Sequence, residues 1–228
     1  MQYYTGTIQQ VIQHTRDVTT LVFDVGGDIP FRYTAGQYIT IIKPESCTPE
    51  GKAYSLSSWP GETHLSITVK DIGGEYSHYL CSRQAGDQLT FSAAYGYFNP
   101  LTDRPLVGIA AGVGISPVWS IIKSEYARDP HRNIQLMYSN RTVDDIVFAA
   151  DLAAYEVRYP QLSLHHFVTR QATVPPKIRQ GRIDLDMCIN PAAHYLVCGS
   201  VAFTRAMWQG LTARGIASKC IATEVFFE

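Results

Sequence analysis

Charge of one sign is what this 228-residue chain most lacks: nineteen Lys and Arg stand against twenty Asp and Glu, a formal net charge of −1. No basic run interrupts that balance, so the electrostatic footprint of a nucleic-acid binder is missing. Nowhere do eighteen apolar residues follow one another, and Met1-Gln2-Tyr3-Tyr4-Thr5-Gly6 carries neither a basic start nor an apolar core. A membrane span and a secretory leader are therefore not expected. Cysteine is sparse and scattered, with Cys47, Cys81, Cys188, Cys198 and Cys220 forming no C-x-x-C pair. That argues against zinc or iron–sulfur ligation and for reduced thiols in the cytoplasm. Any one-electron carrier would have to sit on another chain.

The chain is rich instead in one kind of turn. Leu106 to Ala111 is an uncharged apolar run, as expected of a strand buried on both faces of a parallel sheet. Gly112 and Gly114 follow, letting the backbone turn sharply and a ligand approach the main chain. Ser116 is placed to cap a helix and Pro117 to occupy its first position, with Ile115, Val118, Trp119, Ile122 and Tyr126 at helical spacing. The free N–H groups of such a helix start, with its dipole, favour an anion. This is not the G-x-G-x-x-G fingerprint, and the turn alone leaves a dinucleotide site and a purely structural turn equally open.

Two halves have different periods. Before about residue 100, Leu21, Phe23 and Val25 alternate with Thr20, Val22 and Asp24, and Leu65, Ile67 and Val69 with Ser66 and Thr68. Gly26-Gly27-Asp28, Pro60-Gly61-Glu62 and Gly73-Gly74 punctuate these runs, which read as an antiparallel barrel or sandwich with a short helix near residues 77–82. After residue 104, apolar strands at 106–111, 134–139, 162–169, 195–198 and 219–222 are mostly separated by helical stretches. One helix is expected from Thr142 to Tyr159, opened by a Thr142/Asp145 capping-box pair, and another after Ser200 with Phe203, Met207 and Leu211 on one face. Repeated β–α units predict a parallel sheet with helices on both faces. The boundary is expected within residues 99–105, giving units 1–101 and 102–228 with a ligand cleft between them.

Further segments stand in a fixed order with the glycine turn: Tyr33-Thr34-Ala35-Gly36-Gln37-Tyr38, Lys52-Ala53-Tyr54-Ser55-Leu56-Ser57-Ser58, Lys70-Asp71-Ile72-Gly73-Gly74-Glu75-Tyr76-Ser77, Cys198-Gly199-Ser200 and Glu224-Val225-Phe226-Phe227. In this order the chain resembles the ferredoxin–NADP reductase superfamily, the flavin-plus-nicotinamide module also found in oxygenase reductases. The resemblance implies a Greek-key antiparallel β-barrel that binds FAD, followed by an α/β domain with a five-stranded parallel sheet that binds NADH or NADPH. It also assigns roles. Tyr54 would lie along the flavin ring or ribityl chain and Ser55 near N5, and Gly74 and Ser77 would hold the FAD pyrophosphate. Lys52, Ala53, Lys70 and Gly73 are further cofactor-binding candidates. Gly112 and Gly114 would admit the nicotinamide dinucleotide, Cys198 and Gly199 would flank its reacting ring, and Glu224 and Phe226 would face the flavin. Ser55, Cys198 and Glu224 are the catalytic candidates, Cys198 as a positioning group and not a nucleophile.

Two positions depart from the family pattern: Lys52 stands where arginine is usual, and Ser200 where proline commonly follows the Cys-Gly pair. A lysine point charge in place of a planar fork weakens diphosphate binding by roughly 1–2 kcal/mol. Arg141 could pair with a 2′-phosphate while Asp144 and Asp145 oppose it or start a helix, so the choice of nicotinamide stays open. His165 and His166 point to opposite faces of a strand and are read as structural, and Lys177 and Arg179 as solvated loop residues. The function implied is an NAD(P)H-dependent flavoprotein reductase feeding an iron–sulfur or other one-electron acceptor protein. A reductase of free flavins and a non-catalytic flavin-binding subunit are the alternatives.

Overall fold

The computed structural model describes residues 2–26, 30–46, 48, 50–99 and 102–226. Gly27 and Asp28 of the first turn, Cys47, Phe227 and the expected boundary at Leu101 lie outside the described residues. The first half carries strands β1 (Tyr3–Thr15), β2 (Val18–Phe23), β3 (Tyr38–Ile42), β4 (Lys52–Ser55), β5 (Leu65–Lys70) and β6 (Gln88–Ser92), with helix α1 (Glu75–Cys81) before β6. They form one antiparallel sheet in the order β4-β3-β6-β1-β2-β5. A bridge between Leu56 and Ile67 joins the two ends, so the sheet closes on itself as a barrel. The period-two apolar residues do what their spacing dictates: Leu21, Phe23, Ile39, Ile41, Leu65, Ile67, Leu89 and Phe91 fill the interior.

The alternation of β5 hides a second burial. Ser66 and Thr68, the polar members, are themselves buried, as are Thr20 and Ser57. Their hydroxyls satisfy one another, Thr20 to Thr68 at 2.7 Å, Thr68 to Ser57 at 3.0 Å and Ser57 to Ser66 at 2.8 Å. A buried hydroxyl needs such a partner, and β5 needs it because the glycine turn of the second half packs against that strand.

The second half contains β7 (Leu106–Ala111), α2 (Ile115–Arg128), β8 (Ile134–Asn140), α3 (Ala149–Arg158), β9 (Leu162–Val168), β10 (Ile178–Gln180), β11 (His194–Ser200), α4 (Val201–Ala213) and β12 (Ile221–Phe226). The sheet runs β10-β9-β8-β7-β11-β12, and every neighbouring pair is parallel. One core lies under α2 and α3, around Val118, Trp119, Ile122 and Leu152, and another under α4, around Leu211 and Val197. The sheet has six strands, not five: β10 is a three-residue edge strand, too short to show a period, and it takes Arg179 out of the expected loop.

Local boundaries also differ. The capping box at Thr142 and Asp145 forms, but on a single 3₁₀ turn, Val143–Asp145. The single helix expected over 142–159 is broken, because Phe148 adopts a left-handed conformation (φ 59°) before α3 begins. That costs a non-glycine residue about 1–2 kcal/mol. It places the Phe148 ring 4.8 Å from His14 of β1 and 6.1 Å from Trp119 of α2, which offsets the strain. Gly114, not Ser116, is the cap of α2; Ser116 lies inside the helix and bonds the Val113 carbonyl at 2.8 Å. Ser200 does cap α4, accepting from Phe203 N at 3.4 Å. Helix α1 begins at Glu75, two residues before Ser77.

The connecting segment is pinned to the second half, and the two halves to each other. Arg132, 4% exposed, pairs with Glu125 and donates to the carbonyls of Thr102 (2.6 Å) and Arg104 (2.8 Å) in the connecting segment. Ser120 of α2 donates to the Ser58 carbonyl, and Lys123 pairs with Glu62.

Candidate functional site

The carboxyl ends of β11 and β12 meet the end of β4. Cys198 lies beside Glu224 in the strand register, and the Ser55 hydroxyl donates to the Glu224 carboxylate across the boundary between the two halves. Strand β12 runs to Phe226 instead of stopping at residue 222, and that extension carries Glu224 and Phe226 to the junction, where Phe226 packs against the α2–α3 core. Ser55 is 5% exposed and Cys198 fully buried. Thr204 bonds the carbonyls of Gly199 (3.4 Å) and Glu224 (3.5 Å), tying the two strand ends to α4.

Burial raises the Glu224 carboxyl above its ordinary pKa, and the Ser55 hydrogen bond opposes that shift. Burial together with the neighbouring Glu224 charge pushes the Cys198 thiol well above the usual range. Cys198 is therefore a neutral thiol, as its reading as a positioning group requires.

The two glycines of the turn do different work. A methyl at Gly114 would lie 2.5 Å from the Cys198 carbonyl oxygen and 2.8 Å from Gly199 N, so Gly114 lets the turn sit directly against β11. Gly112 has φ +52° and open space where a side chain would be. Its freedom exposes main chain at the carboxyl end of β7, a cradle a side chain would fill. The Tyr138 hydroxyl donates to the Gly112 carbonyl at 2.9 Å and receives Val147 N at 3.3 Å. Sequence reasoning missed Tyr138; its signal was a lone phenol inside an apolar buried strand. It missed Asn140 too, a buried side chain at the end of β8 whose polar atoms find no partner among the described residues.

The other predicted residues form separate groups. Lys52 and Ala53 are exposed on β4 and Tyr54 is half-buried, leaving an open strip of strand that ends at Ser55. Gly73 (φ +75°) and Gly74 border a groove of about 410 Å³ with Lys43, His78 and Tyr79. Gly73 likewise faces open space. Ser77 does not offer its hydroxyl to that groove: it is buried, donates to the Gly74 carbonyl at 3.1 Å and receives Ile72 N at 3.3 Å, so it shapes the turn. Lys70 points to an ion pair with Asp17 at 3.3 Å. Arg141 is exposed at the end of β8, with Arg170 N bonded to its carbonyl at 2.8 Å, while Asp145 is turned back into its own capping box. Among the described residues no group of His, Cys, Asp and Glu could hold a metal ion. His165 bonds Ser163 at 2.9 Å, in keeping with a structural role.

Gly73 and Gly112 each leave open space beside the main chain, β4 carries an exposed strip, and the Ser55 hydroxyl meets the Glu224 carboxylate at the boundary of the two halves. A family model described as the oxidoreductase NAD-binding domain matches residues 109–209. The ferredoxin reductase component of 3-ketosteroid-9-alpha-monooxygenase from Mycolicibacterium smegmatis is 32% identical over 230 residues, which is 96% of this chain and 64% of that protein. The flavohemoprotein of Bacillus subtilis is 28% identical over 245 residues, 99% of this chain and 59% of its own length. The crystal structure of the flavohem-like FAD/NAD binding domain of nitric oxide dioxygenase from Vibrio cholerae superposes with a TM-score of 0.88 at 26% identity, covering 98% of both chains. The antiparallel barrel followed by the parallel sheet is the two-domain fold of that FAD/NAD binding domain. Over nearly its whole length the chain is similar to ferredoxin reductase components, to flavohemoproteins and to an FAD/NAD binding domain. It spans 64% of the length of the mycobacterial relative.

Proposed function

We propose that this chain is an NAD(P)H-dependent FAD flavoprotein reductase that delivers electrons to a separate protein acceptor, a ferredoxin or an oxygenase component. The similarity to ferredoxin reductase components, flavohemoproteins and an FAD/NAD binding domain supports the oxidoreductase class and the pairing of FAD with NADH or NADPH. FAD, when bound, would supply the hydride-accepting and one-electron-donating chemistry. The chain's own residues bind and orient. The open strip of Lys52, Ala53 and Tyr54 receives the flavin, and Gly73 and Gly74 admit its pyrophosphate next to main chain. Gly112 and Gly114 do the same for the nicotinamide dinucleotide, with Cys198 and Gly199 walling the cleft at its reacting end. Ser55 Oγ donates a hydrogen bond to Glu224 there, and burial raises the Glu224 carboxyl above its ordinary pKa beside the reacting centre.

The Ser55–Glu224 bond carries this reading, because it joins the two halves where the two rings would have to meet. Cys81, Cys188, Cys198 and Cys220 are free, which supports a cytoplasmic location; no helix among the described residues is long and apolar enough to cross a membrane. The test is reduction of ferricyanide and of a ferredoxin by NADH and by NADPH without added flavin. FAD-loaded protein that reduces neither acceptor with either donor contradicts the proposal. A second reading, reduction of free flavins, draws support from exposed Lys52, which offers one mobile charge and no planar fork. It requires turnover that saturates with added FMN or riboflavin.

A further inference from the structure

A cavity of about 630 Å³ lies away from the cleft. Pro130 and His131 precede β8, and Pro160 and Gln161 precede β9, so it opens at the amino ends of these strands, whereas Arg141 follows the carboxyl end of β8. Its walls are aromatic: Tyr126, Tyr155 and Tyr159 from the second half and Trp59 from the barrel. Tyr126 and Tyr159 stack with centroids 4.2 Å apart and planes 6° from parallel, and Tyr155 tilts against Tyr159 at 5.1 Å.

Two polar features lack a partner. Tyr126 is 1% exposed, and its hydroxyl makes no hydrogen bond among the described residues. A buried phenol left unpaired costs free energy that a bound oxygen would recover. The exposed Arg158 guanidinium sits 5.3 Å over the Tyr159 ring and enters no ion pair among the described residues. Lys123, which also lines the cavity, is neutralised by Glu62. The cavity therefore offers flat apolar walls, one uncompensated positive charge and one unpaired hydroxyl. Its volume falls in the range of small-molecule sites.

We propose that this cavity is a second ligand site, for a small planar aromatic carboxylate, separate from the dinucleotide cleft. The ring stacks against the tyrosines, the carboxylate faces Arg158 and an oxygen meets Tyr126 Oη. Because Trp59 belongs to the barrel and the tyrosines to the parallel-sheet half, an occupant bridges the two.

The test is calorimetric titration of the FAD-loaded protein with 2-naphthoate, and with 2-naphthylmethanol as the neutral control. One saturable site per chain is expected, with the alcohol about tenfold weaker, Arg158→Gln about tenfold weaker and Tyr126→Phe about threefold to tenfold weaker. Saturating NAD⁺ and NADP⁺ leave naphthoate binding unchanged. Arg158 is exposed, so its variant folds, and circular dichroism with flavin content verifies both variants. Absence of saturable binding, equal affinity of acid and alcohol, indifference to Arg158→Gln, or displacement by a dinucleotide each overturns the proposal. None of these outcomes bears on the reductase reading, which is tested by acceptor reduction.

Discussion

Replacing Gly114 by alanine separates packing from binding in the glycine turn. The backbone there is ordinary helix-start geometry (φ −60°, ψ −9°), so alanine meets no conformational strain and gains up to about 1 kcal/mol of local preference. Against this, the methyl would stand 2.5, 2.7 and 2.8 Å from the Cys198 carbonyl oxygen, its carbon and Gly199 N, all main chain. Backbone in the middle of a parallel sheet cannot rotate away as a flexible side chain can. Overpacking of this kind costs about 1–3 kcal/mol and sometimes more, so a net loss of about 1–2 kcal/mol is expected, a fall in Tm of roughly 2–8 °C. The displaced turn also shifts the cleft wall at Cys198 and Gly199, so KM for the nicotinamide donor rises. Gly112→Ala is the comparison: no atom lies within 4 Å, and the cost is the left-handed backbone, about 1–2 kcal/mol. Its methyl projects into the open cradle, so affinity for NADP⁺ or NAD⁺ falls by more than its stability loss explains. Differential scanning calorimetry with dinucleotide titration reads both variants. A Gly114→Ala protein that melts with the wild type and binds the dinucleotide normally refutes the close-approach argument.

Three further changes test other contacts. Burial keeps Glu224 above its ordinary pKa of 4.5, so between that value and its folded value the native state holds a proton the unfolded chain has lost. Stability therefore falls as pH rises through that window, and Glu224→Gln should gain in Tm relative to wild type with rising pH; a pH-independent difference contradicts the assignment. Lys52→Arg should tighten FAD by about 1–2 kcal/mol, roughly fivefold to thirtyfold in Kd by equilibrium dialysis, and unchanged affinity would remove Lys52 from the flavin site. Arg132→Ala leaves Glu125 only its half-exposed partner Arg128 (2.8 Å) and uncaps the Thr102 and Arg104 carbonyls; a loss of about 2 kcal/mol is expected by urea unfolding, and a loss under about 1 kcal/mol would show the pin is dispensable.

The architecture was legible because its signals are local and repeated. Leu21 and Phe23 alternate, Leu106 to Ala111 is continuously apolar, and Ser200 caps its helix as its residue type suggests. What escaped was set by distant partners. Nothing near Phe148 signals a left-handed residue, because the reason is a ring pocket built from His14 and Trp119. Ser77 has the residue type of a phosphate ligand, yet its hydroxyl is consumed by Ile72 and Gly74. Ser116 has the residue type of a cap, and the helix instead starts one residue beyond Gly114 because the turn must press against β11. The Ser55–Glu224 pair lies 169 residues apart in sequence, and only the ordered motifs that carry the family resemblance placed both at one site.

The most direct test of the central claim is the visible spectrum of the purified protein, followed by anaerobic addition of NADH and of NADPH in separate cuvettes. The account predicts a flavin spectrum that bleaches with at least one of the two donors and recovers on adding a one-electron acceptor. A flavin-loaded protein whose spectrum neither donor changes would contradict it.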